Sequence, residues 1–412
     1  MKNFLDAKET RSSDQRIEDL KNDLPKQIRN AKENSAGYFV RLCKIDPEEI
    51  QSVEDLQKIS VLRKSELIEL QRAKPPFGEF ATRKSKADYI FQSPGPIYDP
   101  GFVKPDWWSL SRFLNAVGIG SKDIIQNCFS YHFTPAGKMM ESAALFLGAS
   151  VFPAGIGNTE QQAQVASTLG VTSYCGTPEY LLTILNKADE LNLDVTKIKK
   201  AAVSGGPLFP QVRSEYTARG IKCLQAYATA DIGAIAYETR ADEPMIVDEN
   251  VVVEIVTPGT GIPVKEGEIG EVLVTSLNSD YPLVRFATGD LSAIAAGYSE
   301  CGRTNVRLVG WRGRADQAVK IKGMFVRPEQ VAVLKERNPE IRKVRVTVDL
   351  VRNKDVMTVK IEVENKGVSP NRYVEAIREI LKLRARVEII DPGELPNDGI
   401  VIEDCRPSVL ES

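Results

Sequence analysis

The sequence predicts an α/β protein of more than one domain, from its length, an alternating central stretch and a later change of pattern. The 412 residues exceed what one hydrophobic core usually supports. Between Pro105 and Leu185, helical and strand-like runs alternate, as in a parallel sheet with crossover helices. After Gly313, strand-like runs pair around a helix at Asn371–Leu383. This second pattern indicates a small α+β module at the C-terminal side.

Composition narrows the class of function. Lysine and arginine total 54 against 56 aspartate and glutamate, so there is no global field for nucleic acid or an anionic membrane. Hydrophobic residues make up 42% of the chain and charged residues 27%, which is typical of a globular protein. We therefore expect small-molecule partners, with no nucleic acid and no membrane.

Targeting and redox signals favour the cytoplasm. Residues 1–20 are dotted with charges and lack the apolar core of a secretory signal. The most apolar run, 143–154, is too short for a membrane span. The six cysteines include no Cys-x-x-Cys pair, as expected of reduced thiols. We expect a cytoplasmic protein and leave a homodimer open.

Several local elements follow from periodicity. The N-terminal helices are expected to carry no chemistry, and Pro25 is expected to kink or restart the one at Ser13–Glu33. Trp107–Val117 is amphipathic, which predicts a half-exposed helix. Residues 251–295 indicate a β-rich subdomain, with strands predicted at 251–256, 271–276 and 282–287.

Two short motifs carry the first chemical signal. Arg285–Asp290 and Gly313–Asp316 each place charged side chains beside glycine, where the backbone can turn sharply and approach a ligand. Asp290 could receive two ribose hydroxyls, and Arg314 could reach ribose or phosphate. These motifs suggest a bound nucleotide, and the alternative is a pair of surface turns.

The sequences RFATGD (285–290), GWRGRADQAVKIKG (310–323) and YATADIG (227–233) together resemble the adenylate-forming enzymes, and within them the phenylacetate-CoA ligase branch. The similarity runs in matching order from about 88 to about 406. It implies a helical flank at 1–80, a large nucleotide- and acyl-binding domain at 81–313 with parallel and mixed sheets, and a small mobile domain at 314–412. Asp316 would be the hinge between the last two.

The resemblance also assigns nucleotide contacts. Tyr227 would stack on adenine, and Asp231 would orient magnesium as a shorter replacement for the family's glutamate. The family's phosphate-binding hydroxyl position is Ala230 here, so Thr229 is the expected substitute. Asp290 and Arg314 match the family's ribose contacts.

Further contacts are implied on both sides of the nucleotide. Gly205 and Gly206 form the turn that lies against adenine in the family, though without the resemblance they are an ordinary turn. The aromatic-rich segment Tyr131, His132 and Phe133 follows a predicted strand, where ligands bind in open α/β sheets, and is expected to line the acyl pocket. The alternative for His132 is a core or surface histidine.

Two family motifs are altered. The phosphate loop falls at 91–100, where Pro94 and Pro96 lack N–H donors and Asp99 brings negative charge. The alternative is a rigid turn after a strand. The family's second catalytic lysine follows a Leu-Pro turn, which is 393–399 here, and no lysine follows it. Both changes predict weakened handling of the ATP phosphates.

The remaining roles lie in the small domain. Lys320 and Lys322 are candidate catalytic cations that would face the site in its second orientation, and Gly323 would lie on the CoA side. The alternative for both lysines is a solvated strand. Cys301 matches a segment that helps to bind zinc in some members, but its partner cysteine is Ser299 here. We therefore expect no structural zinc.

The sequence leaves three functions open. The first is a carboxylic acid-CoA ligase that forms an acyl-adenylate with ATP and magnesium and passes the acyl group to CoA. The second is a related enzyme that keeps nucleotide and CoA surfaces without ordinary adenylation. The third is a non-catalytic sensor. The identity of the acid is open in all three.

Overall fold

The computed structural model describes residues 4–84, 86–94, 96–315, 319–321, 324–351, 354–364, 369–396, 398 and 400–406. The chain folds into two units. The first comprises 1–253, 274–286 and 295–310, and the second 254–273, 287–294 and 311–412. The predicted α/β class is confirmed by the helices and sheets of both units. The boundaries expected near 80 and 313 stay predictions.

The first unit holds eight α-helices within its described residues. These are α1 (Ser13–Asn34), α2 (Ala36–Arg41), α3 (Lys64–Ala73), α4 (Ser111–Val117), α5 (Ala136–Phe146), α6 (Thr159–Leu169), α7 (Pro178–Glu190) and α8 (Pro210–Ala218). Its strands up to residue 247 are β1 (Leu62–Arg63), β2 (Tyr89–Ser93), β3 (Ile97–Gly101), β4 (Ile124–Asn127), β5 (Ser150–Phe152), β6 (Ser173–Gly176), β7 (Lys200–Val203), β8 (Lys222–Thr229), β9 (Gly233–Tyr237) and β10 (Met245–Val247).

The later strands and helices complete the chain. They are β11 (Val251–Val256), β12 (Gly270–Ser276), β13 (Phe286–Ser292), β14 (Arg307–Leu308), β15 (Val319–Ile321), β16 (Met324–Val326), α9 (Pro328–Arg337), β17 (Ile341–Val351), β18 (Lys354–Val363), α10 (Asn371–Leu381), β19 (Arg386–Ile390) and β20 (Ile402–Asp404). Among the described residues, no helix is long and apolar enough to cross a membrane.

An eight-stranded sheet forms the centre of the first unit. Its order is β14-β10-β9-β8-β7-β6-β4-β5, and the five strands from β8 to β5 are parallel. Helices α5 to α8 each lie in the chain between successive parallel strands, which is the connection that parallel pairing requires. The alternation at 105–185 thus predicted this sheet correctly.

Helix α4 is more deeply buried than its sequence pattern predicted, because all seven of its residues are buried. Phe113 and Leu114 join the core with Met139 and Met140 of α5. The polar residue Arg112 donates to the buried Asp248 from 3.3 Å. A buried charge is tolerated where it has such a partner.

Helix α1 is continuous through Pro25, so no new helix starts there, and the predicted kink stays a prediction. The Ser12 side chain caps it by accepting from Gln15 N at 3.2 Å. Leu24 and Ile28 beside the proline are fully buried. Burial of each contributes about 1.5–3 kcal/mol, which is enough to offset a lost helical hydrogen bond.

Strand β13 begins at Phe286, four residues later than the predicted strand at 282–287. Arg285 interrupts the extended run, since its φ is 46° and its side chain is buried. Its Nη1 donates to the Ile59 carbonyl at 2.7 Å, and its own carbonyl accepts from Leu62 N at 3.0 Å. Tertiary contacts therefore override the apolar pattern before the strand starts.

The second unit contains the small α+β module that the sequence predicted. Its four-stranded sheet has the order β19-β18-β17-β20, with β17 and β18 antiparallel over ten paired positions. Helices α9 and α10 cover a core that includes Leu334, Val346, Val359 and Tyr373. The alternating apolar residues Val344, Val346 and Val348 lie in this core, and the residues between them, Arg345 and Thr347, are buried as well.

Candidate active site

A cavity of about 580 Å³ opens at the carboxyl edge of the parallel strands in the first unit. This volume is within the range of roughly 300–1,000 Å³ typical of small-molecule sites. Segments at or just after the ends of four strands line this cavity. The residues concerned are Cys128, Phe129 and Ser130 after β4, Thr177 after β6, Ser204 and Gly205 after β7, and Ala228, Thr229 and Ala230 at β8.

The described lining of this cavity is apolar with hydroxyl groups and includes no charged side chain. Helix α5 contributes Met139 and Met140, and the β2–β3 hairpin contributes Ser93 and Pro94. A wall of this kind suits an uncharged group and disfavours a charged one, since burying an unpaired charge is costly.

The turn after β8 sets the position of Asp231. Gly233 has a φ of 92°, and a Cβ there would lie 2.4 Å from the Trp108 carbonyl, so only glycine fits. Ala234 N donates to the same carbonyl at 2.9 Å. Thr229 Oγ1 accepts from Ile232 N at 3.3 Å. The backbone carrying Thr229 and Asp231 is therefore fixed from both ends.

Asp231 is paired with a lysine that sequence reasoning did not assign. Lys64 Nζ lies 2.9 Å from Asp231 Oδ2, and the Asp231 side chain is 2% exposed. Lys64 Nζ also lies 5.7 Å from the centre of the Phe286 ring. The carboxylate expected to orient magnesium is thus already neutralised by a side chain.

Asp99 adds a second carboxyl group beside Asp231. It is fully buried in β3, and its Oδ2 accepts from Ser93 Oγ at 2.8 Å. Burial, and next the negative charge of Asp231, raise the pKa of Asp99 well above its ordinary value. Burial followed by the charges of both carboxyl groups likewise raises the pKa of Tyr281. Asp99 therefore keeps its proton to a higher pH than an ordinary aspartate does.

This protonation predicts a pH dependence that an Asp99→Asn variant should lose. Folded Asp99 keeps a proton that the unfolded chain releases above about pH 4, so the wild-type free energy of unfolding should fall as pH rises from there towards the raised pKa. The free energy of unfolding of Asp99→Asn minus that of the wild type should therefore increase with pH, by at most about 1.4 kcal/mol per pH unit for one proton. Urea unfolding between pH 5 and 8, roughly the range in which folded proteins are most stable, measures it. Parallel pH profiles would contradict the assignment.

A magnesium ion does not fit Asp231 as the structure has it. Mg²⁺ requires six oxygen ligands in near-octahedral geometry and keeps several waters. One Asp231 oxygen is engaged by Lys64, and the side chain is almost completely buried. Nowhere in the described part of the chain do three His, Cys, Asp or Glu side chains converge as a metal site.

The segment predicted to be an altered phosphate loop contains two strands paired as a hairpin. Strands β2 and β3 pair antiparallel from Tyr89↔Gly101 to Ser93↔Ile97, so residues 94–96 connect paired strands. Pro94 is in the cavity wall, and Gly95 lies outside the described residues. The alternative of a rigid turn after a strand agrees with this geometry.

Three other residues that were predicted to contact the nucleotide, Gly205, Gly206 and Tyr227, belong to the first unit. Gly205 lines the cavity with a φ of 76°. Gly206 accepts at its carbonyl from Gln225 Nε2 at 2.7 Å. Tyr227 is half-buried and is not in the cavity wall. Its stacking on adenine stays a prediction.

The predicted acyl-pocket residues do not line this cavity. His132 is exposed, Phe133 is 75% exposed, and Tyr131 receives a hydrogen bond from Asn127 Nδ2 at 2.8 Å. Their chain neighbours Phe129 and Ser130 line it instead. The position at the end of a strand was anticipated, but the pattern could not show which side chains face inwards. Contact of the three with an acid stays a prediction.

In the second unit, the structure brings Asp290 and Arg314 together. Arg314 Nη1 lies 3.1 Å from Asp290 Oδ1, and Trp311 Nε1 donates to the same oxygen at 3.1 Å. Asp290 is buried, whereas the Arg314 side chain is 48% exposed. Gly289 and Gly313 both have positive φ, as the sharp turns require. Tyr227 belongs to the first unit, so a pocket shared with Asp290 stays a prediction.

Several predicted residues lie outside the described chain. Asp316, Lys322 and Gly323 are among them, and so is the side chain of Lys320. The altered C-terminal turn is partly described. Lys343 Nζ donates to the Pro396 carbonyl at 3.2 Å, and Arg345 pairs with Asp398. Both of these cationic side chains therefore form contacts with residues of the turn.

The segment considered for zinc forms a different buried cluster. Arg303 pairs with Glu9, whose Oε1 also accepts from Tyr237 OH at 3.2 Å. Ser299 Oγ donates to Cys301 Sγ at 3.1 Å. Burial opposes, but hydrogen bonds led by that of Ser299 outweigh it and lower the pKa of Cys301. Glu9 could not be assigned from the sequence because it is nearly 300 residues away.

Known proteins resemble this chain in sequence and in fold. The family model described as AMP-binding enzyme matches residues 108–278, which include the strands around the cavity. A structure of 2-hydroxyisobutyryl-CoA ligase with 2-HIB-AMP and CoA is similar with a TM-score of 0.71 and 21% identity, covering 98% of this chain and 93% of that one. This likeness shows that the chain has the same fold as that ligase.

Curated relatives point to one branch. Phenylacetate-coenzyme A ligase of Aromatoleum evansii is 26% identical over 393 residues, covering 89% of this chain and 88% of that protein. The enzyme of the same name from Escherichia coli (strain K12) is 26% identical over 400 residues, covering 90% and 89%. The predicted resemblance to phenylacetate-CoA ligases is confirmed.

Proposed function

We propose that this protein activates an uncharged-tailed carboxylic acid, phenylacetate-like in size, as an acyl-adenylate and transfers the acyl group to CoA. The observation that carries the proposal is the cavity of about 580 Å³ at the strand ends, with an apolar described lining and the segment 228–230 in its wall. A ring or branched chain would bury against Phe129, Met139 and Met140. The hydroxyl of Thr229 would donate to the polar end, whereas that of Ser204 already donates to the Ala226 carbonyl at 2.9 Å.

Pyrophosphate release tests this function. The full chain is mixed with ATP, CoA and one acid at a time, with phenylacetate compared against a charged acid of similar size, such as succinate. We expect release with phenylacetate at least about tenfold faster than with succinate, because the described lining offers no counter-charge. No release with any acid would reject the proposal.

A nucleotide role for Asp290 is part of the proposal. Its buried carboxylate accepts from Trp311 and Arg314 and would accept ribose hydroxyls in the same way. Asp290→Ala should weaken AMP binding by about 1–3 kcal/mol through lost charge-assisted hydrogen bonds. Calorimetric titration measures it, with the exposed Asp194→Ala as control. Unchanged AMP affinity in Asp290→Ala would contradict the role.

One observation favours a second candidate function. Lys64 forms an ion pair with Asp231, and a hairpin lies where the phosphate loop was predicted. A homologue that binds AMP or acyl-CoA without adenylation is therefore also consistent with the structure. Such a protein should be stabilised against heat by AMP or CoA but release no pyrophosphate with any acid. Thermal shift with AMP, ATP and CoA separates the two candidates.

A further inference from the structure

Lys64 lies at a helix position that is generally unfavourable for a cation. It is the first residue of α3, where the partial positive charge of the helix N-terminus disfavours a cation. Its ammonium nevertheless lies 2.9 Å from Asp231 Oδ2 and 5.7 Å from the centre of the Phe286 ring. The lysine side chain is 25% exposed and that of Asp231 only 2%. The buried carboxylate holds the ammonium in this position.

The residues around the Lys64–Asp231 pair offer buried carboxyl oxygens, as the residues of a cation site do. Asp231 Oδ1 and Asp99 Oδ1 are both buried, and neither meets a hydrogen-bond partner among the described residues. If no other positive charge were present, the Asp231 carboxylate, with its unpartnered oxygen, would attract a divalent cation. Lys64 supplies that charge from within the chain.

We propose that Lys64 is the resident cation of this site and that it excludes a divalent metal from Asp231. The ammonium is one charge on a flexible stem, and unlike Mg²⁺ it needs no water shell once it is paired. The site therefore needs no metal to neutralise Asp231. This statement concerns the protein without any substrate, so it does not depend on the proposed ligase activity.

Manganese binding tests the proposal. Mn²⁺ takes the oxygen ligands that Mg²⁺ takes, and its free fraction is read by electron paramagnetic resonance. The full chain without nucleotide should bind no Mn²⁺ in an Asp231-dependent way up to about 1 mM, a weak-binding limit. Lys64→Met keeps the stem, removes the charge, and should bind Mn²⁺ about tenfold more tightly than wild type or better. Lys64→Met with Asp231→Asn should lose that gain.

Two control variants show whether Mn²⁺ binding depends on the charge of Lys64 or on the loss of any lysine charge. Lys74→Met removes a lysine of an exposed pair, 3.8 Å from Glu79, and should leave Mn²⁺ binding unchanged. Lys64→Arg keeps a cation and should still exclude the metal. Thermal melting checks that each variant is folded, and Lys64→Gln is a second uncharged variant if Lys64→Met is not. Wild-type Mn²⁺ binding that Asp231→Asn abolishes would overturn the proposal, and so would no gain in folded Lys64→Met or Lys64→Gln.

A consequence for nucleotides rests on the proposed function. If AMP binds, its dissociation constant should change by less than about twofold on adding magnesium, because Asp231 is not available to the metal. A larger magnesium dependence that Asp231→Asn removes would overturn the proposal. Absence of AMP binding would instead reject the proposed function, while the manganese result would stand by itself.

Discussion

Replacing Arg303 by methionine should lower the free energy of unfolding by about 3–5 kcal/mol, the typical cost of breaking a buried ion pair. The Arg303 side chain is 4% exposed and its partner Glu9 is fully buried. Methionine fills much of the volume but leaves the Glu9 carboxylate charged, with Tyr237 OH as a remaining donor. The loss therefore comes chiefly from an uncompensated charge and not from a cavity.

Denaturant unfolding of the wild type and of four variants, Arg303→Met, Glu9→Gln, their combination and Arg240→Met, tests this explanation. Arg303→Met combined with Glu9→Gln removes both charges and should be more stable than Arg303→Met alone. Arg240→Met is the control, since Arg240 is 49% exposed between Glu243 and Glu300 and should cost less than about 1 kcal/mol. If the double variant lost as much as the sum of its single variants, the pair would not be coupled and the explanation would be wrong.

The parallel sheet could be predicted from the sequence because its signals are local. The strands from β4 to β8 have three to eight residues, and each is joined to the next in the chain by a helix with its own period. Prediction failed where a distant contact decides the backbone. Arg285 turns to a φ of 46° because its side chain reaches Ile59, and no pattern within 282–287 records that contact.

The site was predicted in part for the same reason. The segment 227–231 and the turn at Gly205 are contiguous motifs, and the structure places Gly205 and Thr229 in one cavity wall. The partners of Asp231 come from α3 and β3, which no local motif connects with it. One signal was present in β3. Asp99 shares a strand face with the buried Ile97, so alternation alone predicts an inward-facing carboxyl group.

A second large effect is expected from filling the cavity at Ala230. This residue is half-buried and forms part of the wall beside Thr229, and it belongs to none of the buried apolar clusters. A phenylalanine there would occupy space that the proposed acyl group needs while displacing little of the core. We therefore expect Ala230→Phe to lower kcat/KM for phenylacetate by more than about 100-fold, roughly 2.7 kcal/mol, with a change in unfolding free energy below about 1 kcal/mol.

The assay and its control follow from the same geometry. Pyrophosphate release at several acid concentrations gives kcat/KM, and denaturant unfolding gives the stability of the same preparation. Ala241→Phe adds the same ring at an exposed position outside the cavity and should keep full activity. A smaller acid such as acetate should lose less than phenylacetate in Ala230→Phe, because it needs less of the filled space. If Ala230→Phe turned over phenylacetate at the wild-type rate, this cavity would not be the acyl site, and the exposed segment Tyr131–Phe133 would be the next place to substitute.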